Sequence, residues 1–343
     1  MDQFGYSSSS DYSASYSHLN PKIGVVLQLI NLVERGRTST LSLKGLETTF
    51  NAMQIKSVPG KVFGVFLVFP ALLLLTLVCF YPLAQNVVLS FQDWNLLTGR
   101  PPSFAGLANF ENLFSSAVFH KVLLNTVIFT AISVPLEVGA GLGLALLLSR
   151  RFKGRDAVLA VISLPMLVAP VAVGLVWRWF YALEYGMLNA LLRNFGISDI
   201  NWLGDPSIAL FSVIVADAWT MSPFMMLFCY AGLQMVPAER YEIAAIDGAT
   251  GWQKFRYVTL PSIKNILFLG LMIRAIDAFT RLFDLVYVLT KGGPAYATEV
   301  LPLYTFEIGL APSFRIGLGA ALSVLTLIIT VVFTSILWKI SRR

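Results

Sequence analysis

Seven ionisable side chains stand in or at the edges of long apolar runs: Glu137, Arg178, Asp217, Arg274, Asp277, Arg281 and Asp284. A charge at mid-bilayer costs about 2.5–3.5 kcal/mol even on the lenient insertion scale, so these groups should face protein or water rather than lipid. On a regular helix Arg274, Asp277, Arg281 and Asp284 fall at about 0°, 300°, 340° and 280°, one polar sector roughly 80° wide. Such a face can line a hydrophilic pathway, or it can neutralise itself in i,i+3 and i,i+4 ion pairs that hold helices together. Glu137, midway along its run, reads as the structural partner of one arginine. Arg178 lies near the end of its run and can snorkel. Catalytic machinery is missing: His18 and His120 cannot build a zinc cluster with Cys79 and Cys229, and neither H-E-x-x-H nor G-x-S-x-G occurs. Both cysteines read as small buried residues within apolar runs. The chain also lacks G-x-x-x-x-G-K-[ST], so any ATP that drives it is expected to sit on another polypeptide.

The elements that must position these groups are membrane spans. Of 343 residues 56% are hydrophobic and 13% charged, against roughly 25% charged in an average soluble protein, and mean hydropathy is +0.72. Six runs are each long enough to cross a bilayer as a helix: Val62–Phe91, Val122–Ser149, Ala157–Tyr181, Ile208–Val236, Ile263–Thr290 and Ile316–Trp338. Pro70, Pro135, Pro165, Pro170 and Pro223 lie inside them and predict kinks, tolerated where neighbouring helices re-satisfy the freed carbonyls. The net charge of +6 reflects Lys and Arg in short loops, which marks topology and excludes a nucleic-acid partner. Seventeen of these cations fall on one side of the six spans and five on the other, which predicts that both termini are cytoplasmic. Residues 1–52 read as a cytoplasmic extension: Met1–Asn20 is Ser- and Tyr-rich and expected to be disordered, and Ile23–Val33 suits an interfacial helix. Residues 53–343 form the six-span domain.

Between the fourth and fifth spans, helix formers run from Ala238 to Ile246, followed by Gly248 and Gly251. A second amphipathic set with Trp252, Phe255 and Val258 then ends at Pro261. This describes a short helix, a glycine-permitted bend, and a second helix closed by proline. Its small residues Ala244, Ala245, Gly248 and Ala249 would let another protein pack closely; an ordinary connecting helix is the alternative. Trp177, Trp179, Phe180, Tyr181 and Tyr185 cluster near one end of the third span, with Trp219 deeper in the fourth. Most suit an interfacial belt, and a minority could stack on sugar rings.

Glu242-Ile-Ala-Ala-Ile-Asp-Gly-Ala-Thr250, with Phe255 and Thr259-Leu-Pro261, resembles the E-A-A loop of binding-protein-dependent ABC importer permeases of the sugar-uptake group. Further matches are Phe104-Ala-Gly-Leu-Ala-Asn-Phe110, Trp177-Arg-Trp179, Ser222-Pro-Phe224, Ala231-Gly-Leu-Gln234 and Leu289-Thr-Lys-Gly-Gly-Pro294, and the likeness runs from about Met53 to the end. The resemblance implies an all-α integral membrane fold, the six-helix type I permease bundle, in the bacterial cytoplasmic (inner) membrane. It implies a coupling helix carried by Glu242, Ala244, Asp247, Gly248 and Ala249. The implied partners are two ABC ATPase subunits that bind the ATP and Mg, a second homologous permease, an extracellular or periplasmic solute-binding protein, and lipid. No catalysis and no cofactor fall on this chain. The implied solute is an oligosaccharide, with Tyr181, Trp219, Thr280 and Arg281 as pathway residues. Arg281 facing the path would admit an acidic sugar or a glycerol phosphodiester; an ion pair with Asp277 or Asp284 would remove that inference. Ile243 stands where the pattern usually has alanine. The stretch Phe279–Phe283 is one residue longer than the usual spacing, an insertion that a π-bulge could absorb. The rival reading is a proton-coupled secondary transporter that uses Glu137 and the acids of the fifth span.

Overall fold

The computed structural model describes residues 60–150 and 152–341. Residues 1–52, with the expected extension and interfacial helix, lie outside them. By contacts the chain divides into Met1–Phe80 and Tyr81–Arg343. In the first unit the described elements are α1 (Gly60–Leu75), which accommodates Pro70, and a π-helical turn at Thr76–Phe80. Cys79 is exposed there, contrary to the expectation of burial, whereas Cys229 in the second unit is buried.

The second unit opens with α2 (Tyr81–Ser90) and a small antiparallel pair, β1 (Gln92–Asp93) on β2 (Ser103–Phe104), before α3 (Ala108–Ser115) and the long α4 (Ala117–Leu148). Asn109 donates to the carbonyls of Ser90 and Gln92 at 2.9 Å each, which ties α3 to the strand pair. Ser116 caps α4, and the helix runs unbroken through Pro135. Next come α5 (Arg155–Ser163), a 3-10 turn at Leu164–Leu167, α6 (Pro170–Phe180) and α7 (Met187–Asn194). Then α8 (Ala209–Gln234), α9 (Ala238–Ile246) and α10 (Gly251–Lys254) lead through a π-helical turn at Phe255–Thr259 into α11 (Leu260–Thr280). Helices α12 (Phe283–Leu289), α13 (Leu301–Gly309) and α14 (Ile316–Ser341) complete the unit.

Among the described residues five helices are long and apolar enough to cross a membrane: Val68–Ser90, Ala117–Leu148, Ala209–Gln234, Gly251–Thr280 and Ile316–Lys339. The expected third span is not one helix. Arg155–Leu167 and Pro170–Phe180 meet at a bend of 95°, so six spans are counted only if this broken pair is one. Pro165 and Pro170 flank the break, where each withholds an N–H from the helical ladder. The expected fifth span also differs at both ends. Pro261 does not close a helix: it lies in the first turn of α11, where a missing donor is tolerated, and the preceding π-turn carries the helix across it. At the other end the helix stops after Thr280, and α12 begins only at Phe283. The stretch Phe279–Phe283, where a π-bulge was expected, holds this break and no π-turn.

The core lies between α4, α6, α8, α11 and α12, with Phe129, Val173, Ile214, Ala278 and Val286 fully or almost fully enclosed. Lipid is as apolar as these side chains, so burial alone gives little drive toward one arrangement, and close packing and polar contacts must choose it. Helix α4 crosses α8 at Gly141, where a Cβ would lie 2.6 Å from the Met226 nitrogen. That backbone cannot retreat without parting the two helices. Gly141→Val is therefore expected to lower the stability of the folded bundle by about 1–3 kcal/mol, read as earlier thermal unfolding in detergent, while Gly139→Val, where a Cβ meets nothing within 4 Å, leaves it unchanged.

Candidate functional site: an ionic knot, a cavity and an exposed elbow

Three helices bring the intramembrane charges together. Thr126, Thr130, Ser133 and Glu137 are buried along α4, and Asp217 faces them from α8. Arg274 reaches in from α11, 2% exposed. Its Nε donates to Glu137 Oε2 at 2.6 Å and its Nη2 to Glu137 Oε1 at 3.0 Å, a two-pronged pair with a fully enclosed carboxylate. Nη2 also donates to Asp217 Oδ2, and Nη1 donates to Asp277 Oδ2 at 3.0 Å. The Ser133 hydroxyl lies 2.5 Å from Glu137 and 2.9 Å from Asp217. Glu137 thus takes the expected part of an arginine's partner. Asp277 leans outward, with its second oxygen 3.5 Å from Arg281.

The expected single polar sector is divided by the break. Arg274 is buried, Asp277 is half-buried and Arg281 is exposed, while Asp284 belongs to α12. A wheel drawn across residues 274–284 assumes one helix axis, and here there are two. The broken backbone at Arg281 and Leu282 borders a cavity of about 50 Å³ whose lining includes Val173, Asp217, Thr220, Arg274, Asp277 and Arg281. Irregular backbone at membrane depth is tolerated where it lines a cavity or packs on protein.

Of the other expected pathway residues, Thr280 is half-buried and its hydroxyl bonds to the Ile276 carbonyl at 2.8 Å. Trp219 is half-exposed and meets Trp177 edge-on, ring centroids 5.9 Å apart. Tyr181 is buried, and its hydroxyl donates to the Ser212 carbonyl at 2.9 Å. Its ring packs between Trp177 and Trp202, so Tyr181 backs the aromatic group from within. Trp177 is likewise part of the packed interior, whereas Trp179 and Tyr185 are exposed as a belt requires. Arg178 donates to the Val288 carbonyl and so joins α6 to α12.

The loop after α8 is an elbow. Gly248 adopts φ +77°, and the N–H groups of Gly248 and Ala249 return to the carbonyls of Ala245 and Ala244 at 3.1 and 2.9 Å. This double closure ends α9 and needs a residue free to enter the left-handed region. Thr250 and Gln253 then form a reciprocal cap that starts α10. The elbow is braced against the start of α11 by Arg240 donating to Ser262 at 3.1 Å and by Tyr241 and Thr259, whose hydroxyls lie 3.0 Å apart. Glu242, Asp247 and Gly248 are exposed, and Ala244 and Ala249 half-buried. Ile246, 85% exposed, and Ile243, Trp252 and Tyr257 are apolar side chains that the described residues leave exposed.

Residues 137–343 match the family described as the binding-protein-dependent transport system inner membrane component. The chain belongs to that family. Over 280 residues it is 36% identical to the trehalose/maltose transport system permease protein MalF of Thermococcus litoralis, covering 81% of this chain and 93% of that one. Over 282 residues it is 33% identical to the sulfoquinovosyl glycerol transport system permease protein SmoG of Agrobacterium fabrum, covering 82% and 91%. A crystal structure of a bacterial ABC transporter involved in the import of the acidic polysaccharide alginate shares the fold, with a TM-score of 0.71, 23% identity, and coverage of 83% of this chain and 98% of that one. The permease is thus an inner membrane, multi-pass component.

Sequence reasoning passed over Ser133 and Glu299. The i,i+3 and i,i+4 spacing of Thr126, Thr130, Ser133 and Glu137 is the signal that could have found the first. Glu299, between α12 and α13 and outside the spans, is 1% exposed, and its Oε1 has no hydrogen-bond partner. It sits against Gly292, where a Cβ would collide with its carboxylate. Burial, with Glu307 nearby, pushes its carboxyl up to about 8.

Two outcomes follow from this geometry. Removing Arg274 strands two buried carboxylates, so Arg274→Met is expected to cost about 3–5 kcal/mol, and adding Glu137→Gln should recover part of that loss in a double-mutant thermal-unfolding cycle. For Glu299, the folded loop keeps a proton that the unfolded chain releases at an ordinary 4.5, so folded stability is full below that value and declines as pH rises toward 8. Hydrogen-exchange protection of residues 291–300 should fall across that window, and Glu299→Gln should flatten the profile.

Proposed function

We propose that the chain is a membrane-spanning subunit of an ATP-driven ABC importer that passes a carbohydrate, in the size range of an oligosaccharide, from a solute-binding protein into the cytoplasm. Both termini and the elbow lie in the cytoplasm, as the excess of Lys and Arg on that side supports. Glu242, Ala244, Asp247, Gly248 and Ala249 seat in one of two ATPase subunits, which bind ATP and Mg. A homologous second permease completes the pathway. The likeness to transport permeases named for trehalose/maltose and for sulfoquinovosyl glycerol supports a sugar-containing solute, and a neighbouring structure determined with a periplasmic protein bound to an alginate pentasaccharide supports delivery by a binding protein.

The observation that carries the reading is the exposed elbow. Its apolar residues would be a liability on a cytoplasmic surface unless a partner covered them. Because α10, the π-turn and α11 are continuous, a partner that shifts the elbow shifts the fifth span with it. Trp219, Thr280 and Arg281 line the path that this motion opens, with Tyr181 supporting Trp219 through Trp177. In the conformation described, a cavity of about 50 Å³ admits a water molecule and not a sugar ring, so transport requires its walls to part. The rival, proton coupling through Glu137, fits poorly, because that carboxylate is enclosed by Arg274 and Ser133.

Gly248 has open space around its Cβ position, so a substitution there disturbs backbone and surface without touching the bundle. Gly248→Asp is expected to abolish uptake while leaving membrane insertion and thermal stability of the spans intact. Normal uptake in that variant counts against the docking role. Uptake that collapses with an uncoupler while ATP is held constant favours the rival.

A further inference from the structure

If the chain passes a carbohydrate, as proposed above, the charges around the cavity bear on which carbohydrate passes. Four charged side chains line the cavity, two of each sign: Asp217, Asp277, Arg274 and Arg281. Glu137 stands directly behind Arg274 and makes the surrounding group formally negative by one. Arg274 spends its donors on Glu137, Asp217 and Asp277. The remaining cation, Arg281, is 80% exposed at the side chain, yet its Nη1 stands 3.5 Å from Asp277 Oδ1. Asp277 therefore serves two arginines, one with each oxygen, and its side chain stays 31% exposed at the cavity wall.

We infer that Asp277 sets the charge selectivity of the pathway, so that paired Asp277 and Arg281 accept uncharged glycans and discriminate against acidic ones. A uronate, sulfonate or phosphate that approaches Arg281 meets the Asp277 carboxylate beside it and either displaces an existing partner or lies against a like charge. An uncharged sugar meets no such conflict. Each hydroxyl both donates and accepts, so one can donate to Asp277 while another accepts from the unused N–H groups of Arg281, leaving the ion pair intact. The ion pair that was expected to remove the acidic reading of Arg281 is present, and it turns a cationic wall into one suited to hydroxyl groups.

The test uses the complete complex of both permeases and the ATPases in nanodiscs without the binding protein, and saturation-transfer NMR with neutral oligoglucosides and oligouronates of the same length. For the wild type, transfer to the neutral glycan should exceed transfer to the uronate by about tenfold. Asp277→Asn should bring the two together, and Arg281→Gln, which leaves Asp277 with Arg274 as its one partner and frees the oxygen that faced Arg281, should widen the gap. Asp277→Glu serves as the conservative control and should keep the wild-type preference if it retains the pair. Equal or greater transfer to the uronate in the wild type, transfer to neither, or movement of the two neutralising variants in the same direction would overturn the inference. ATP-driven uptake measured in parallel separates the two levels: a complex that imports glycans but prefers uronates contradicts only the charge selectivity, whereas one that imports no glycan at all removes the carbohydrate reading.

Discussion

The bundle depends on one ionic knot at membrane depth. Arg274 on α11 binds Glu137 on α4 and Asp217 on α8, and Ser133 lies between the two carboxylates. In a soluble protein a core of this size would be held chiefly by apolar burial. Among lipids that drive is weak, because a leucine gains little by exchanging acyl chains for side chains. A guanidinium with three carboxylate partners is different. Any other rotation of α11 would place it against hydrocarbon, at several kcal/mol. The knot therefore selects one relative placement of three spans, and the close crossing at Gly141 fixes the separation of two of them.

With α11 pinned at this depth, its two ends acquire distinct roles. Toward the elbow it continues without interruption through the π-turn into α10, and Arg240 and Tyr241 brace α9 against its first residues. Toward the opposite end it stops at Thr280, a turn and a half beyond the knot, and the chain re-forms as α12 only after Arg281 and Leu282. On the proposed reading, a rod that is continuous on one side of the knot and broken on the other would convert displacement of the elbow into a change at the cavity. Helix α12 is held separately: Gly174 of α6 lies so close to Val288 that a Cβ would meet it at 2.8 Å, and Arg178 bonds the Val288 carbonyl. The cavity thus lies where α11 ends and the separately held α12 begins.

Much of this was legible in the sequence, and the exceptions share a cause. Hydropathy located the spans because backbone groups in lipid must be satisfied within a helix. The elbow was legible from Gly248 and from the helix formers before it, since few residues other than glycine enter the left-handed region readily. The pairing of Glu137 with an arginine followed from the cost of a lone buried charge. Which arginine, and the part played by Asp217 and Ser133, depended on the packing of α4 on α8, and hydropathy carries no information about rotation. Helix continuity was the weakest inference. Proline was read as a stop at Pro261, where a first-turn position made it harmless, and the stretch Phe279–Phe283 was expected to bulge where the chain instead breaks. Local composition cannot decide these cases, because neighbouring helices determine whether a freed backbone group finds a partner.

The transmission of movement along this rod is open to direct measurement by electron–electron resonance distances in the assembled importer. One pair of spin labels at Gln253 and Ile273 reports on the continuous segment, and a second pair at Ile273 and Tyr287 spans the break; all three side chains are exposed. Between nucleotide-free and ATP-bound states the first distance is expected to stay constant and the second to change. A first distance that changes while the second stays fixed would place the flexible joint at the π-turn and contradict the transmission described here.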